Sequence, residues 1–310
     1  MQPSVKRKHR QQTIRRMIDN RALYLMILPA FLYLLIFHYW PMYGVQIAFR
    51  NFNFADGITG SKWVGMKWFS YFFRSNNFGL LVRNTLILSF YDLLAGFPVP
   101  ILLALITNAV PSRRFRKVSQ TITYLPHFIS VIVLVGMMNS MFSVNSGWVS
   151  TIVRALGGTP TYIMGEAKYF RHVYVWSGVW QQMGWNSIIY LAAISSIDQE
   201  MYEAAEIDGA GRFRRIWSIT LPSIRGTIVI LLIMNMGSLF SSNFDQMYML
   251  NVGSVGDVAE TIDTYIYNFG VKKLNYGIGT ALNIVRTVVV FLMVSGTNII
   301  AKKFGESGIW

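Results

Sequence analysis

Apolar residues gather along the chain into six blocks, at about 22–47, 84–108, 119–142, 173–195, 224–243 and 280–301. A helix needs about 20 such residues to cross roughly 30 Å of hydrocarbon. The pattern therefore predicts an all-α integral membrane protein with six transmembrane helices, the backbone arrangement that satisfies its own hydrogen bonds in lipid. Two blocks carry interruptions: Pro98 and Pro100 in the second and Pro126 in the third. Proline removes a helix hydrogen bond, and such breaks either line a translocation path or are packing kinks.

The stretches between blocks differ by side. Those at about 48–83, 143–172 and 244–279 are long and rich in Gly, Asn and aromatics, and those at 109–118 and 301–310 are short and basic. One polar stretch breaks this division: "MYEAAEIDGAGRFRRIWSITLP", residues 201–222, is charged, strongly helix-forming and hinged at Gly209 and Gly211. No internal repeat or low-complexity tract is evident.

Composition agrees with a bilayer as solvent: 53% of the 310 residues are hydrophobic and 14% charged, where soluble domains carry about 25% charged residues. A formal net charge of +14 would suit nucleic acid, but the basic residues are not spread over one face. Seventeen of the 28 fall in the tail (Lys6 to Arg21), at 113–117, at 212–225 and at Lys302 and Lys303. Short basic segments beside spans follow the positive-inside rule, so both termini are expected in the cytoplasm and no nucleic acid is expected as a partner. The first block has the basic leader of a signal peptide but no small-residue cleavage site; it runs into the aromatic belt "FHYWPMYG" and is expected to stay as a span. The absence of cysteine excludes disulfides and thiolate chemistry.

Residues 197–222 read as a helix-turn-helix on the cytoplasmic side. Ser196 and Asp198 both suit an N-cap, and Gln199 fits a capping box with Ser196. "QEMYEAAEID" follows with acidic residues near the positive end of its helix dipole. Gly209 and Gly211 permit a reversal, "RFRRIWSI" starts a second helix, and Leu221–Pro222 stops it. A spacer would need none of this, so the stretch is read as a docking knob for a soluble partner.

These residues resemble the EAA loop of permease subunits in binding-protein-dependent ABC importers. That pattern is Glu-Ala-Ala, three residues, Gly, nine residues and Ile-x-Leu-Pro; here Glu203, Ala204, Ala205, Gly209, Ile219, Leu221 and Pro222 match it, and Asp208 is also typical. The stretches "YWPMYGVQIAFRNF", "FPVPILLAL", "QTITYLPHFIS", "AETIDTYIY" and the terminal Trp310 are similar to the carbohydrate branch of that family, the permeases for polysaccharides or complex oligosaccharides. The resemblance implies the type I permease fold, with a tail at 1–21, a permease domain at 22–310 and a coupling loop at 197–222. It implies a second permease subunit as a heterodimer partner, two copies of an ATPase subunit and an external or periplasmic substrate-binding protein, assembled at the cytoplasmic (inner) membrane. ATP and Mg would be bound by the ATPases and no cofactor by this chain. Glu203, Ala204, Ala205, Asp208, Gly209, Ile219, Leu221 and Pro222 would be the ATPase-coupling residues. Glu203 would reach a basic residue of the ATPase, and the two alanines would permit close helix packing. Arg212, Arg214 and Arg215 serve either that contact or topology.

Ionisable side chains within spans are functional candidates because hydrocarbon penalises them. Asp92 in the second span and Arg286 in the sixth either pair with each other or leave Arg286 to face a carboxylated, uronate-type sugar. Sugar sites also use aromatic faces and amides. "VWQQMGWNSIIY" supplies Gln181 together with Gln182, Trp185 and Asn186, the last three on one helical face, and Asn283 lies one turn before Arg286. Each has an ordinary alternative as an interface anchor or packing residue. The expected substrate pathway is Asp92, Gln182, Trp185, Asn186, Asn283 and Arg286.

Enzyme motifs are missing. The four histidines are scattered, no H-E-x-x-H or Walker A loop occurs, and "GAGRFR" follows a helix and lacks the third glycine of a dinucleotide fingerprint. Asp257, Glu260 and Asp263 are the nearest thing to a metal-ligand cluster, and they read as part of an external loop helix. A transport subunit without catalytic or metal-binding residues is expected. The alternatives are an ABC permease for a non-sugar solute, or an ATP-independent channel or carrier, which would not need the knob.

Overall fold

The computed structural model describes residues 19–238, 243–303, 305 and 308. The basic tail from Lys6 to Arg16, the end of the fifth apolar block at 239–242 and Trp310 lie outside the described residues. Contacts divide the chain into two units, residues 1–67 and 68–310.

In the first unit, α1 (Arg21–Leu34) continues through π-turns at Leu35–Tyr39 and 3-10 turns at Trp40–Phe49, giving a 29-residue helical run. Its apolar window has no buried residue, and the run is apolar on every side, the composition of a membrane span. A short hairpin follows, pairing Arg50 with Trp63 and Asn51 with Lys62.

In the second unit, α2 (Phe78–Gly96) and α3 (Pro98–Ala109) form one 32-residue helix. The expected break at Pro98 and Pro100 does not interrupt this span. Pro98 follows a turn at Phe97 and forfeits one helix hydrogen bond, but the Phe97 N–H still reaches the Leu93 carbonyl at 3.1 Å and the helix runs on.

The third block differs more. The helical run of α4 (Arg113–Tyr124) and its 3-10 extension to Phe128 meets α5 (Val131–Met141) at 100°. Pro126 stands at the change from α-helix to 3-10 turns, the run ends at Phe128, and Ser130 caps the second by accepting from the Val133 N–H at 3.4 Å. At 1.5 Å per residue, α5 alone is about 16 Å long, half the hydrocarbon thickness. The interruption expected at Pro126 is therefore a full break, and the third block holds two helical runs instead of one kinked helix. Phe115, Val118, Ile122 and Leu125 form an exposed stripe on α4, flanked by Arg114 and Lys117.

After α5 comes α6 (Ala167–Ser195), 29 residues long, and then α7 (Gln199–Ile207) and α8 (Arg212–Arg215) of the charged loop. A helical run through Ser223 is bent by 63° from α9 (Arg225–Ser238), and α10 (Tyr276–Lys303) closes the fold. Three described helices are long and apolar enough to cross a membrane, or five if each bent pair counts as one span. The polar Gln181, Gln182 and Asn186 make α6 less apolar than its length would suggest.

α6 is the axis of the second unit. Its residues Phe170, Tyr174, Val175 and Val179 pack with Leu88 of α2, Leu134 and Met138 of α5, and Met247, Leu250, Val255 and Ala259 of the 244–260 segment. Lipid tails are as apolar as leucine, so membrane helices associate through close packing and interhelical hydrogen bonds rather than by escaping water. Both are present. A Cβ built on Gly184 would overlap the Thr123 carbonyl of α4, so only glycine allows this crossing. Gln181 Nε2 donates to the Ile129 carbonyl at 2.7 Å, and Gln246 Nε2 donates to the Tyr174 carbonyl at 3.1 Å. The helical segment at 262–271 lies against α10 through a second glycine contact, where a Cβ on Gly270 would sit 2.8 Å from the Gly279 Cα.

Candidate functional site

The charged loop is built from local signals. Asp198 caps α7, its carboxylate accepting from the Glu200 N–H at 3.0 Å. Ser196 instead donates its hydroxyl to the Ala193 carbonyl at 2.7 Å, at the end of α6, so the Ser196–Gln199 capping box does not form. α7 ends in a Schellman motif: the Gly209 N–H reaches the Glu206 carbonyl at 3.0 Å and the Ala210 N–H reaches the Ala205 carbonyl at 2.8 Å. Gly209 sits at φ +74°, a left-handed conformation that costs an L-residue roughly 1–2 kcal/mol. Gly211 has an ordinary extended φ of −65° and precedes α8, so the reversal belongs to Gly209 alone.

The loop is held to the body on one face only. Tyr202 and Ala205 pack against Ile194, Ile197, Ile219 and Ile224, and the Tyr202 hydroxyl is 2.9 Å from Thr220 Oγ1. Arg215 pairs with Glu206 at 2.9 Å, tying the two helices of the loop together. Leu221 and Pro222 continue a helical turn to Ser223 and do not end the helix at once; the bend follows at Ile224. The opposite face is open: Glu203, Ala204 and Asp208 are exposed, beside Ile207 at 87% exposure, Phe213 at 82% and Trp217 at 73%. Large apolar side chains so exposed on a charged loop mark a contact surface. Glu203 also lines a cavity with Asn108, Arg116, Arg212 and Arg215.

The substrate candidates divide into two places. Asp92, Gln182 and Asn186 come together in a cavity of about 160 Å³ between α2, α6 and α9, joined there by Ser89, Asn235, Asn243 and Gln246. Sequence reasoning missed these last four, although Asn235 is a lone amide inside the apolar run "ILLIMNMGS" and could have been found by the argument that found Asp92. Trp185 turns toward α4's extension, its ring stacked on His127 with centroids 4.3 Å apart and planes 3° from parallel. His127 Nδ1 donates to Gln182 Oε1 at 2.8 Å, so Gln182 belongs to both the stack and the cavity wall.

Asn283 and Arg286 line a different cavity, with Asp263, Tyr276 and Thr280. Arg286 Nη1 lies 3.1 Å from Asp263 Oδ1. The pairing of Asp92 with Arg286 is thus not formed, and Arg286 meets Asp263 instead. The cause is the glycine contact at Gly270 and Gly279, which lays the 262–271 segment along α10 and brings a carboxylate to Arg286. Asp257, Glu260 and Asp263 do not converge: no group of three His, Cys, Asp or Glu among the described residues could hold a metal ion.

Apolar helices around an amide-lined cavity, with a charged and apolar-tipped helix-turn-helix at one end, are the parts of a solute-transporting membrane subunit. The profile of the family described as "Binding-protein-dependent transport system inner membrane component" matches residues 96–305, and the chain belongs to that family, a permease subunit of ABC importers. It is 41% identical over 305 residues to the polygalacturonan/rhamnogalacturonan transport system permease protein YteP of Bacillus subtilis (strain 168), covering 98% of this chain and 95% of that protein. It is also 41% identical over 291 residues to protein LplB of the same organism, covering 94% of this chain and 92% of that one. Among solved structures, a chain of a bacterial alginate ABC transporter in complex with an alginate pentasaccharide-bound periplasmic protein superposes with a TM-score of 0.89 at 37% identity, over 95% of this chain and 99% of that chain. The fold is that of an ABC importer permease, and the chain is a transport subunit of the inner membrane.

Proposed function

We propose that this permease carries an acidic oligosaccharide, delivered by an external binding protein, across the cytoplasmic membrane. The substrate class is supported by the names of its relatives, which move polygalacturonan, rhamnogalacturonan or alginate. Asp92, Gln182, Asn186 and Asn235 offer acceptors and donors to sugar hydroxyls along the path. The working assembly pairs this chain with a second, different permease and with two ATPase subunits that hold ATP and Mg. Both termini and residues 197–222 face the cytoplasm. α6 with its less apolar centre, α1, α2–α3, the two bent pairs and α10 make up six spans.

The observation that carries the coupling role is the geometry of the loop. One face, at Tyr202 and Ala205, is fixed to the body, and the other presents Glu203, Ala204, Ile207 and Phe213 outward. A knob anchored this way transmits a push as a rigid body. ATP closes the two ATPases, the knobs follow, and the helices fixed to them tilt between inward-facing and outward-facing states, whose populations nucleotide and loaded binding protein shift. Ile219 and Thr220, both buried, connect the loop to the start of α9.

The test is purification of the tagged chain from its native membrane in mild detergent, as wild type and as Gly209→Val. The expected wild-type result is copurification of an ATPase and a second permease, and the variant should lose the ATPase while keeping the permease. A chain that comes out alone both times and moves solute in liposomes without ATP would contradict the coupling role.

A further inference from the structure

A substrate bearing carboxylates needs cations on its route, and Arg286 is already paired. Two other arginines are not. Arg83 on α2 and Arg171 on α6 lie at the ends of those helices remote from the charged loop, and both aim at a single acceptor. Arg83 Nη2 is 3.4 Å and Arg171 Nη2 is 3.3 Å from Asn84 Oδ1. Asn84 is fully buried and cannot follow either arginine, because its Nδ2 donates to the carbonyls of Asp257 at 2.9 Å and Glu260 at 3.1 Å. Arg83 makes one further bond, to the Asp257 carbonyl at 3.2 Å.

Among the described residues, neither guanidinium has a carboxylate within salt-bridge distance. The Nε of Arg171 is buried and has no hydrogen-bond partner. Two like charges sharing one neutral oxygen repel, and a buried N–H left unpaired is destabilising. An anion bridging the two would relieve both terms. The planar guanidinium fork matches a carboxylate by two parallel hydrogen bonds.

The position relates this pair to the cavity. Arg171, Tyr174, Gly178 and Gln182 fall at i, i+3, i+7 and i+11, one stripe of α6, and the last three line the cavity. At 1.5 Å per residue, Arg171 lies about 16 Å along α6 from Gln182. We propose that Arg83 and Arg171 form a carboxylate-binding site for a uronate unit of the oligosaccharide, placed before the amide-lined cavity on its path. This rests on the acidic-substrate reading above.

The probe is a galacturonic acid trimer, compared with its carboxyl-reduced neutral counterpart. Equilibrium binding of each is measured to the purified complex of both permeases and the ATPases, without binding protein, as wild type, R83Q/R171Q and R83K/R171K. Loss of charge-assisted hydrogen bonds should weaken trimer binding roughly ten- to a hundredfold in the glutamine variant. Binding of the neutral trimer should stay within about twofold, and the lysine variant, which keeps the charge but loses the fork, should fall between the wild type and the glutamine variant. Unchanged trimer binding in the glutamine variant would overturn the site, as would an equal loss for both trimers, which would mark the arginines as packing groups. A matching drop in the affinity of the complex for unloaded binding protein would also overturn it, by giving the pair to that protein. Uptake of the trimer by the complete wild-type importer in proteoliposomes is measured separately. If it is absent, the acidic-substrate reading fails, and this site with it.

Discussion

The charged loop and the amide-lined cavity are assembled in opposite ways. The loop takes its shape mostly from residues within 30 positions of one another: the Asp198 cap, the Schellman closure at Gly209, and the seat of Tyr202 and Ala205 between Ile194 and Ile224. The cavity draws Asp92, Gln182, Asn235 and Gln246 from segments more than 150 residues apart, and its walls depend on where α6 crosses α4. A locally coded element can be read from the sequence and perturbed without disturbing the rest. An element made by helix crossings is read poorly and fails as a whole when one crossing is lost.

The sharpest way to break this contrast is Gly184→Leu. No rotamer relieves an overlap between Cβ and a backbone carbonyl, and overpacking of this kind costs about 1–3 kcal/mol or more. Loss of a monodisperse peak by fluorescence-detected size exclusion is expected, with the smaller Gly184→Ala showing a lowered melting temperature. An unchanged Gly184→Ala would mean that the crossing is looser than the structure has it.

Next in size is the Arg286–Asp263 pair. Asp263→Asn leaves a cation largely out of water and should destabilise the protein by about 2–3 kcal/mol, with much of this restored in Asp263→Asn/Arg286→Gln. A double variant as unstable as the sum of the singles would show that Arg286 does more than balance Asp263.

The cavity itself is addressed by Asn186→Ala and Asn235→Ala. Each removes one amide from the path and should slow saccharide transport by roughly tenfold, the scale of one lost hydrogen bond, while the ATPase still copurifies. Loss of the ATPase instead would mean that the cavity and the loop are not separable. Smaller again is Asp198→Ala, which removes a helix cap worth about 1 kcal/mol and should weaken ATPase retention while leaving saccharide affinity unchanged.

Much of the loop was legible because capping residues, a positive-φ glycine and a helix-forming run are short-range signals. The choice between Ser196 and Asp198 was open in the sequence, and it is settled by α6 running on far enough to claim the Ser196 hydroxyl. Hydropathy located the apolar blocks but not their geometry. Pro98 is absorbed at the start of α3, whereas Pro126 stands in a run that ends at Phe128, and Ser130 caps a second helix at 100° to it. Both are prolines in apolar blocks, and hydropathy alone does not tell them apart. For Arg286, the sequence offered Asp92 as the acidic residue within a span; the actual partner, Asp263, arrives because two glycines let a loop helix lie along α10. The spacing put Trp185 on one face with Gln182 and Asn186, but its ring stacks on His127 instead of lining the cavity, and that placement depends on the bend in the third block.

The most direct test uses the absence of cysteine from the chain. Ala204→Cys puts a single thiol on the exposed face of α7, between Glu203 and the inward-packed Ala205, without altering the cap or the Gly209 turn. In native membranes, a short thiol-to-amine cross-linker should join this position to an ATPase subunit. A cysteine at the likewise exposed position of Leu156, remote from the loop in sequence, should give no such product. If Ala204→Cys yields no ATPase adduct while the importer remains active, the loop does not dock the motor, and coupling must run through another part of the chain.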